Sequence, residues 1–182
     1  MARSQALCRS LLAEVGGNAQ LSQVIYFSAL ATYREAADPG LTARHLAYIE
    51  CLRSTGVEVE LGRFKIKRGN CPLCQRLVTR HEEKETDVAI GVKLLELFWR
   101  DECDSAVLVT GDSDLAPAIR MARHHFPARG IYCCFPFKRI SFELKSLARR
   151  GFRIKSRRYA LHQLPDPVFV AGGKQISKPP YW

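Results

Sequence analysis

A chain of 182 residues, 47% of them hydrophobic, has enough apolar mass for one sizeable core, which excludes a fully disordered chain and a mini-protein. Its 28 Lys and Arg against 18 Asp and Glu leave a formal net charge of +10, so its natural ligands are polyanions, either nucleic acid or an anionic membrane face. No apolar run approaches the ~20 residues that span a bilayer. The first fifteen residues, which include Arg3, Arg9 and Glu14, lack the continuous apolar stretch of a secretory signal. The expectation is a cytoplasmic protein whose seven cysteines stay reduced.

In chain order, Leu7, Leu11, Leu12 and Val15 recur at helical spacing and stop at Gly16-Gly17. Gln23 to Ala31 is rich in β-branched and aromatic residues and reads as a strand, and Leu41 to Ser54 returns to helical spacing. Val57 to Phe64 alternates Val57, Val59 and Leu61 with polar residues or Gly62, as an edge or near-edge strand with one wet face does. Arg68 to Arg80 shows no period and reads as a loop. Glu85 to Arg100 predicts a long helix with Val88, Val92, Leu95 and Trp99 as its apolar face.

Ser105 to Thr110 is a short apolar run, expected as a parallel strand buried on both faces, followed by a helix over Leu115 to His124. Gly130 to Phe135 is another buried strand, Ser141 to Arg150 another helix and Phe152 to Lys155 a last short strand. This alternation predicts an α/β fold with mainly parallel central strands. The tail from Pro165 to Trp182 has room for a small hairpin about Gly172-Gly173.

The most informative stretch is Thr110-Gly111-Asp112-Ser113-Asp114, because ligands of parallel α/β sheets collect beyond the carboxyl ends of the strands. Asp112 and Asp114 lie on one tight turn, where two carboxylates suit a hard divalent cation; the plainer alternative is that Asp114 or Ser113 caps the following helix. Asp87, with Glu85, sits at the start of a helix, where attraction to the positive helix terminus is a sufficient reason for an acid.

Lys84-Glu85-Thr86-Asp87-Val88-Ala89-Ile90 and Val107 through Leu115 together resemble the NYN-domain, LabA-like branch of the PIN-like ribonucleases. Tyr26 to Ala29 and Gln163 to Val168 are similar to further segments of that family, so the likeness runs from Gln20 to Trp182. The resemblance implies a three-layer α/β/α fold over residues 1–164, with 165–182 as a C-terminal extension. It also implies Mg²⁺ or Mn²⁺ held by carboxylates and metal-dependent hydrolysis of RNA phosphodiester bonds. By position, Asp87, Asp112 and Asp114 become the catalytic and metal-binding acids, with Thr110 and Ser113 behind them. One departure stands out: the family pattern opens on a strand ending in Asp, and that Asp has no counterpart here. The expectation is therefore an N-terminally truncated fold with impaired activity, whose bared strand edges pair with another copy or a partner chain. The rival reading is a non-catalytic RNA-binding or regulatory module.

Mg²⁺ bound by one or two carboxylates plus waters leaves room for phosphate oxygens. Lys138 to Arg158 holds nine Lys or Arg and one acid, Glu143. Within it Lys138, Arg139, Lys145, Arg149, Arg150, Arg153, Lys155, Arg157 and Arg158 are the candidate RNA-backbone contacts, and Phe137, Phe142, Phe152 or Tyr159 the candidate stacking groups. Phe142 and Phe152 also fit apolar faces and are expected in the core. Cys71-Pro72-Leu73-Cys74 is half a Zn²⁺ site, with His81 near enough in sequence for a third ligand; two free thiols or a redox pair are the alternatives. Cys133 and Cys134, adjacent on a strand, are expected as core residues on opposite faces.

Overall fold

In the computed structural model, residues 4–179 are described; Arg3 and Pro180 to Trp182, which entered the reading of the two termini, lie outside them. Helix α1 (Ser4–Ser10) and a 3-10 turn (Leu12–Glu14) lead to strand β1 (Ile25–Ala29), helix α2 (Leu41–Ser54), and strands β2 (Glu58–Asn70) and β3 (Leu77–Lys84). There follow α3 (Thr86–Trp99), β4 (Ser105–Val109), a 3-10 turn (Ser113–Leu115), α4 (Ala116–His125) and β5 (Gly130–Phe135). The chain continues through α5 (Phe142–Leu147), β6 (Arg150–Arg153), α6 (Ser156–Leu161), β7 (Val168–Phe169) and β8 (Gln175–Ile176).

The main strands form two three-stranded sheets, β1-β2-β3 and β4-β5-β6. β1 runs parallel to β2, and β4 and β6 run parallel to β5; within these two sheets β3 alone is antiparallel to its neighbour. Helices flank both faces. On the first sheet α2 takes one side, where Tyr26 meets Tyr48 edge-on and Ser28 lies 3.3 Å from His45, while α3 packs on the other. On the second, Leu94 and Phe98 of α3, Ile119 of α4 and Leu144 of α5 close over Ile131, Cys133 and Phe135. Leu7 and Leu11 cover Cys134 and Ile154 from the opposite side. The two cysteines thus face opposite ways, both fully buried, because successive side chains of a strand alternate. β7 and β8 pair about Gly172-Gly173 and press Val168 and Val170 against Cys51 of α2.

Four sequence expectations are corrected. β2 lies next to both edge strands of its sheet, in keeping with a near-edge place, but the segment expected as a loop is mostly a long hairpin with β3: Arg63 pairs with Lys84 and Asn70 with Leu77, eight register pairs in all. Charged residues on both faces had hidden the period. The buried stripe of α3 is Gly91, Leu94 and Phe98, with Leu95 of the expected face packed beside it, whereas Val88, Val92 and Trp99 are exposed. β4 is not buried on both faces, since Val107 and Val109 are exposed; among the described residues no strand pairs with its second edge or with that of β1. Finally, Phe142 is 78% exposed rather than in the core, while Phe152 does pack against the Leu7 cluster.

Candidate metal centre

Asp112 follows β4, and its side chain caps the 3-10 turn by accepting the backbone N–H of Asp114 at 3.1 Å, while its own N–H donates to Thr110 Oγ1 at 3.0 Å. The capping acid is therefore Asp112, not Asp114 or Ser113. Gly111 is needed here for space: a Cβ would stand 3.0 Å from the carbonyl oxygen and 3.1 Å from the Cβ of Arg139. The loop after β5 is thus pressed against the acidic turn, which brings Lys138 and Arg139 beside it.

Asp87 comes from the first turn of α3, which also packs against the turn holding Asp112 and Asp114 and against α4. Gly91, one turn beyond Asp87, permits the approach, since a Cβ there would lie 3.0 Å from the Cβ of Ala118. The result is that ligand oxygens of Asp87, Asp112 and Asp114 all lie within 4.8 Å of one another. All three side chains are exposed, so water and a substrate reach them.

The electrostatics are those of a site short of positive charge. Partial burial holds the Asp87 carboxyl above its ordinary range, and the charges of Asp112, Asp114 and Glu83 push it further the same way. A helix N-terminus favours the ionised acid, but burial first and the neighbouring carboxylates second outweigh that help. A divalent cation neutralises such a cluster, and all-oxygen donors with open positions suit Mg²⁺ or Mn²⁺.

The expected basic stretch is divided by the fold. Lys138 and Arg139 are exposed beside the acidic turn, together with Phe137, 50% exposed, whose ring lies 5.4 Å from the Lys138 ammonium. Arg150 instead pairs with Glu14 at 2.8 Å, and Arg158 donates to the carbonyl and hydroxyl oxygens of Ser10, so these two hold the N-terminal segment in place. Arg149, Arg153, Lys155 and Arg157 are exposed around β6 and the start of α6. Arg149 also ties its backbone N–H to Ile131.

Cys71 and Cys74 sit at the tip of the β2–β3 hairpin, in a turn closed by hydrogen bonds of 2.8 Å from Cys71 N–H to Arg76 O and from Gln75 N–H to Cys71 O. Hydrogen bonds from the Cys74 and Leu73 N–H groups hold the Cys71 thiol below its usual range. His81 does not join them: it is opposite Ile66, well down the hairpin, stacked on Tyr33 at 3.8 Å. Among the described residues the three aspartates are the one group of three or more His, Cys, Asp or Glu close enough to hold an ion. Sequence reasoning missed the cationic face of the hairpin, although the alternation Arg63, Lys65, Lys67 was its signal.

No helix among the described residues is long and apolar enough to cross a membrane. No curated protein matches the chain. Among solved structures, a protein of unknown function from Vibrio parahaemolyticus aligns at 16% identity over 76% of this chain and 98% of its own, with a TM-score of 0.45. The family model described as the NYN domain matches residues 8–159, and the chain belongs to that family.

Proposed function

We propose that this NYN-domain protein is a divalent-metal-dependent endoribonuclease acting at Asp87, Asp112 and Asp114. The observation that carries the reading is the convergence of three carboxylates from two separate elements within 4.8 Å, in an exposed position and with Asp87 strained towards protonation. When bound, Mg²⁺ or Mn²⁺ supplies activation of water and neutralisation of charge on the phosphoryl group. The protein's part is to position: the Asp112 carboxylate is fixed by the Asp114 N–H, and Asp87 is fixed by the approach of α3 to α4 at Gly91. The exposed loop of Lys138 and Arg139 packs on the acidic turn at Gly111 and offers cations for a phosphate backbone, and exposed Phe137 and Phe142 offer stacking surfaces for bases. Cys71 and Cys74 take no part in this chemistry.

The test is Mn²⁺-dependent cleavage of single-stranded RNA by the unaltered chain and by Asp112→Asn. Cleavage that requires Mn²⁺ and falls at least ~10-fold in the variant, taking losses of ligand support as a floor, is the expected result. Cleavage at equal rate in the folded variant would contradict the assignment.

A second reading, a non-catalytic RNA-binding or regulatory module, draws on the edges of β1 and β4 that no strand among the described residues pairs with, where a partner chain can add a strand. In it, the folded chain binds single-stranded RNA but shows no Mn²⁺-dependent cleavage, and Asp112→Asn leaves RNA binding unchanged.

A further inference from the structure

The hairpin of β2 and β3 projects beyond the helices, and its two faces differ. Register places Arg63 opposite Lys84, Lys65 opposite Glu82 and Lys67 opposite Arg80, and pairs two apart along a strand share a face. One face therefore carries five cations and one acid, all of the cations exposed. The opposite face carries Phe64, Ile66, Arg68 and His81, anchored near its base by Tyr33 against both Phe64 and His81.

Two of the three cross-strand pairs on the cationic face, Arg63 with Lys84 and Lys67 with Arg80, set like charges directly opposite each other, an arrangement that costs stability. Glu82 offsets part of this, reaching Lys84 at 2.9 Å and Lys67 at 3.6 Å. Lys65, Arg80 and the outer end of the face are left to solvent. The row begins at the start of α3: Arg63 holds Glu85 at 2.5 Å, and Glu85 lies two residues before Asp87 in the sequence. At ~3.4 Å per residue the ladder runs about 25 Å outward from there.

We infer that the β2–β3 hairpin is a phosphate-gripping arm, whose Arg63, Lys65, Lys67, Arg80 and Lys84 face holds single-stranded RNA along the line that leads to the three aspartates. The occupant follows from charge: a row of like charges that repel one another across the strands is relieved by a polyanion laid along it. The inference rests on the ribonuclease reading for its choice of RNA, but the arm binds without metal and without cleavage.

The experiment measures binding of fluorescent oligouridylate in EDTA over a range of salt, using the full chain and a Lys65→Gln, Lys67→Gln, Arg80→Gln variant, with Arg68→Gln on the opposite face as the control. Each lost contact flattens the log–log salt slope by about 0.7, so the triple variant is expected to lose about 2 from the slope and the control almost nothing. Thermal unfolding gives a second reading: removing like charges from directly opposite positions is expected to leave the melting temperature unchanged or raised. An unchanged slope in the folded triple variant, or an equal loss in the Arg68→Gln control, overturns the inference. So does tighter binding of the full chain to phosphatidylserine vesicles than to the oligonucleotide, which would make the arm a membrane contact. Failure of metal-dependent cleavage with the slope change intact would remove the ribonuclease reading and leave the arm.

Discussion

In the β4–β5–β6 sheet the middle strand is buried at every residue from Gly130 to Phe135, whereas in the β1–β2–β3 sheet no residue of the middle strand β2 is fully buried. Both strands are central in the same topological sense. What separates them is cover: β5 has α3, α4 and α5 on one side and α1 on the other, while β2 outruns α2 and α3 after Gly62 and continues into solvent as a hairpin. A central place in a sheet does not make a core; helices on both faces do. The covered half fixes the positions of Asp112 and Asp114, and the uncovered half contributes charge and reach, with α3 joining the two.

The contrast is broken most strongly in the covered half. Phe135→Ala, at a side chain 1% exposed, is expected to cost about 3–5 kcal/mol in chemical denaturation. Ile66→Ala, at a hairpin residue 61% exposed, is expected to stay within about 0.5 kcal/mol. Comparable losses at the two positions would mean that the hairpin packs against something and is not a free arm.

At the junction, Gly91→Val forces α3 away from Ala118. A cost of about 1–3 kcal/mol in stability is expected from overpacking. Mn²⁺ affinity should drop with it, by ~10-fold or more as for lost ligand support, because Asp87 moves with the helix. A stability loss with unaltered Mn²⁺ affinity would show that Asp87 does not depend on this contact. Arg150→Ala removes a partly exposed ion pair with Glu14 and is expected to cost only about 0.2–1 kcal/mol.

The smallest effect concerns pH. The Asp87 carboxyl titrates above its unfolded value, so the native state binds the extra proton in the window between the two. Stability from this group therefore falls as pH rises through that window and is recovered on acidification, the reverse of an ion-paired acid. Mn²⁺ binding, which requires the ionised form, weakens over the same window as pH falls. Asp87→Asn is expected to remove this component of both profiles, read by thermal unfolding and by calorimetry at a series of pH values.

Much of the covered half was legible in the sequence. Gly130 to Phe135 is an unbroken apolar run and forms β5 with those bounds, and Leu41 to Ser54 forms α2 with the bounds its periodicity set. The acids were legible as motifs, but their convergence depends on Gly91 and Gly111, whose role is to leave room for Ala118 and Arg139, which sequence spacing does not reveal. The apolar face of α3 was misread because Val88, Val92 and Trp99 have helical spacing as good as that of Leu94 and Phe98; which stripe is buried is decided by where α4 and the second sheet lie. The hairpin was hidden because both of its faces are wet, and period-two alternation marks a strand only when one face is apolar.

The central claim is that Asp87, Asp112 and Asp114 form one divalent-metal site. Calorimetric titration of Mn²⁺ into the full chain and into Asp112→Asn, each checked for an intact fold by circular dichroism, tests it directly. The predicted result is saturable binding by the full chain and at least ~10-fold weaker binding by the variant. Equal Mn²⁺ affinity in the two folded proteins would contradict the claim.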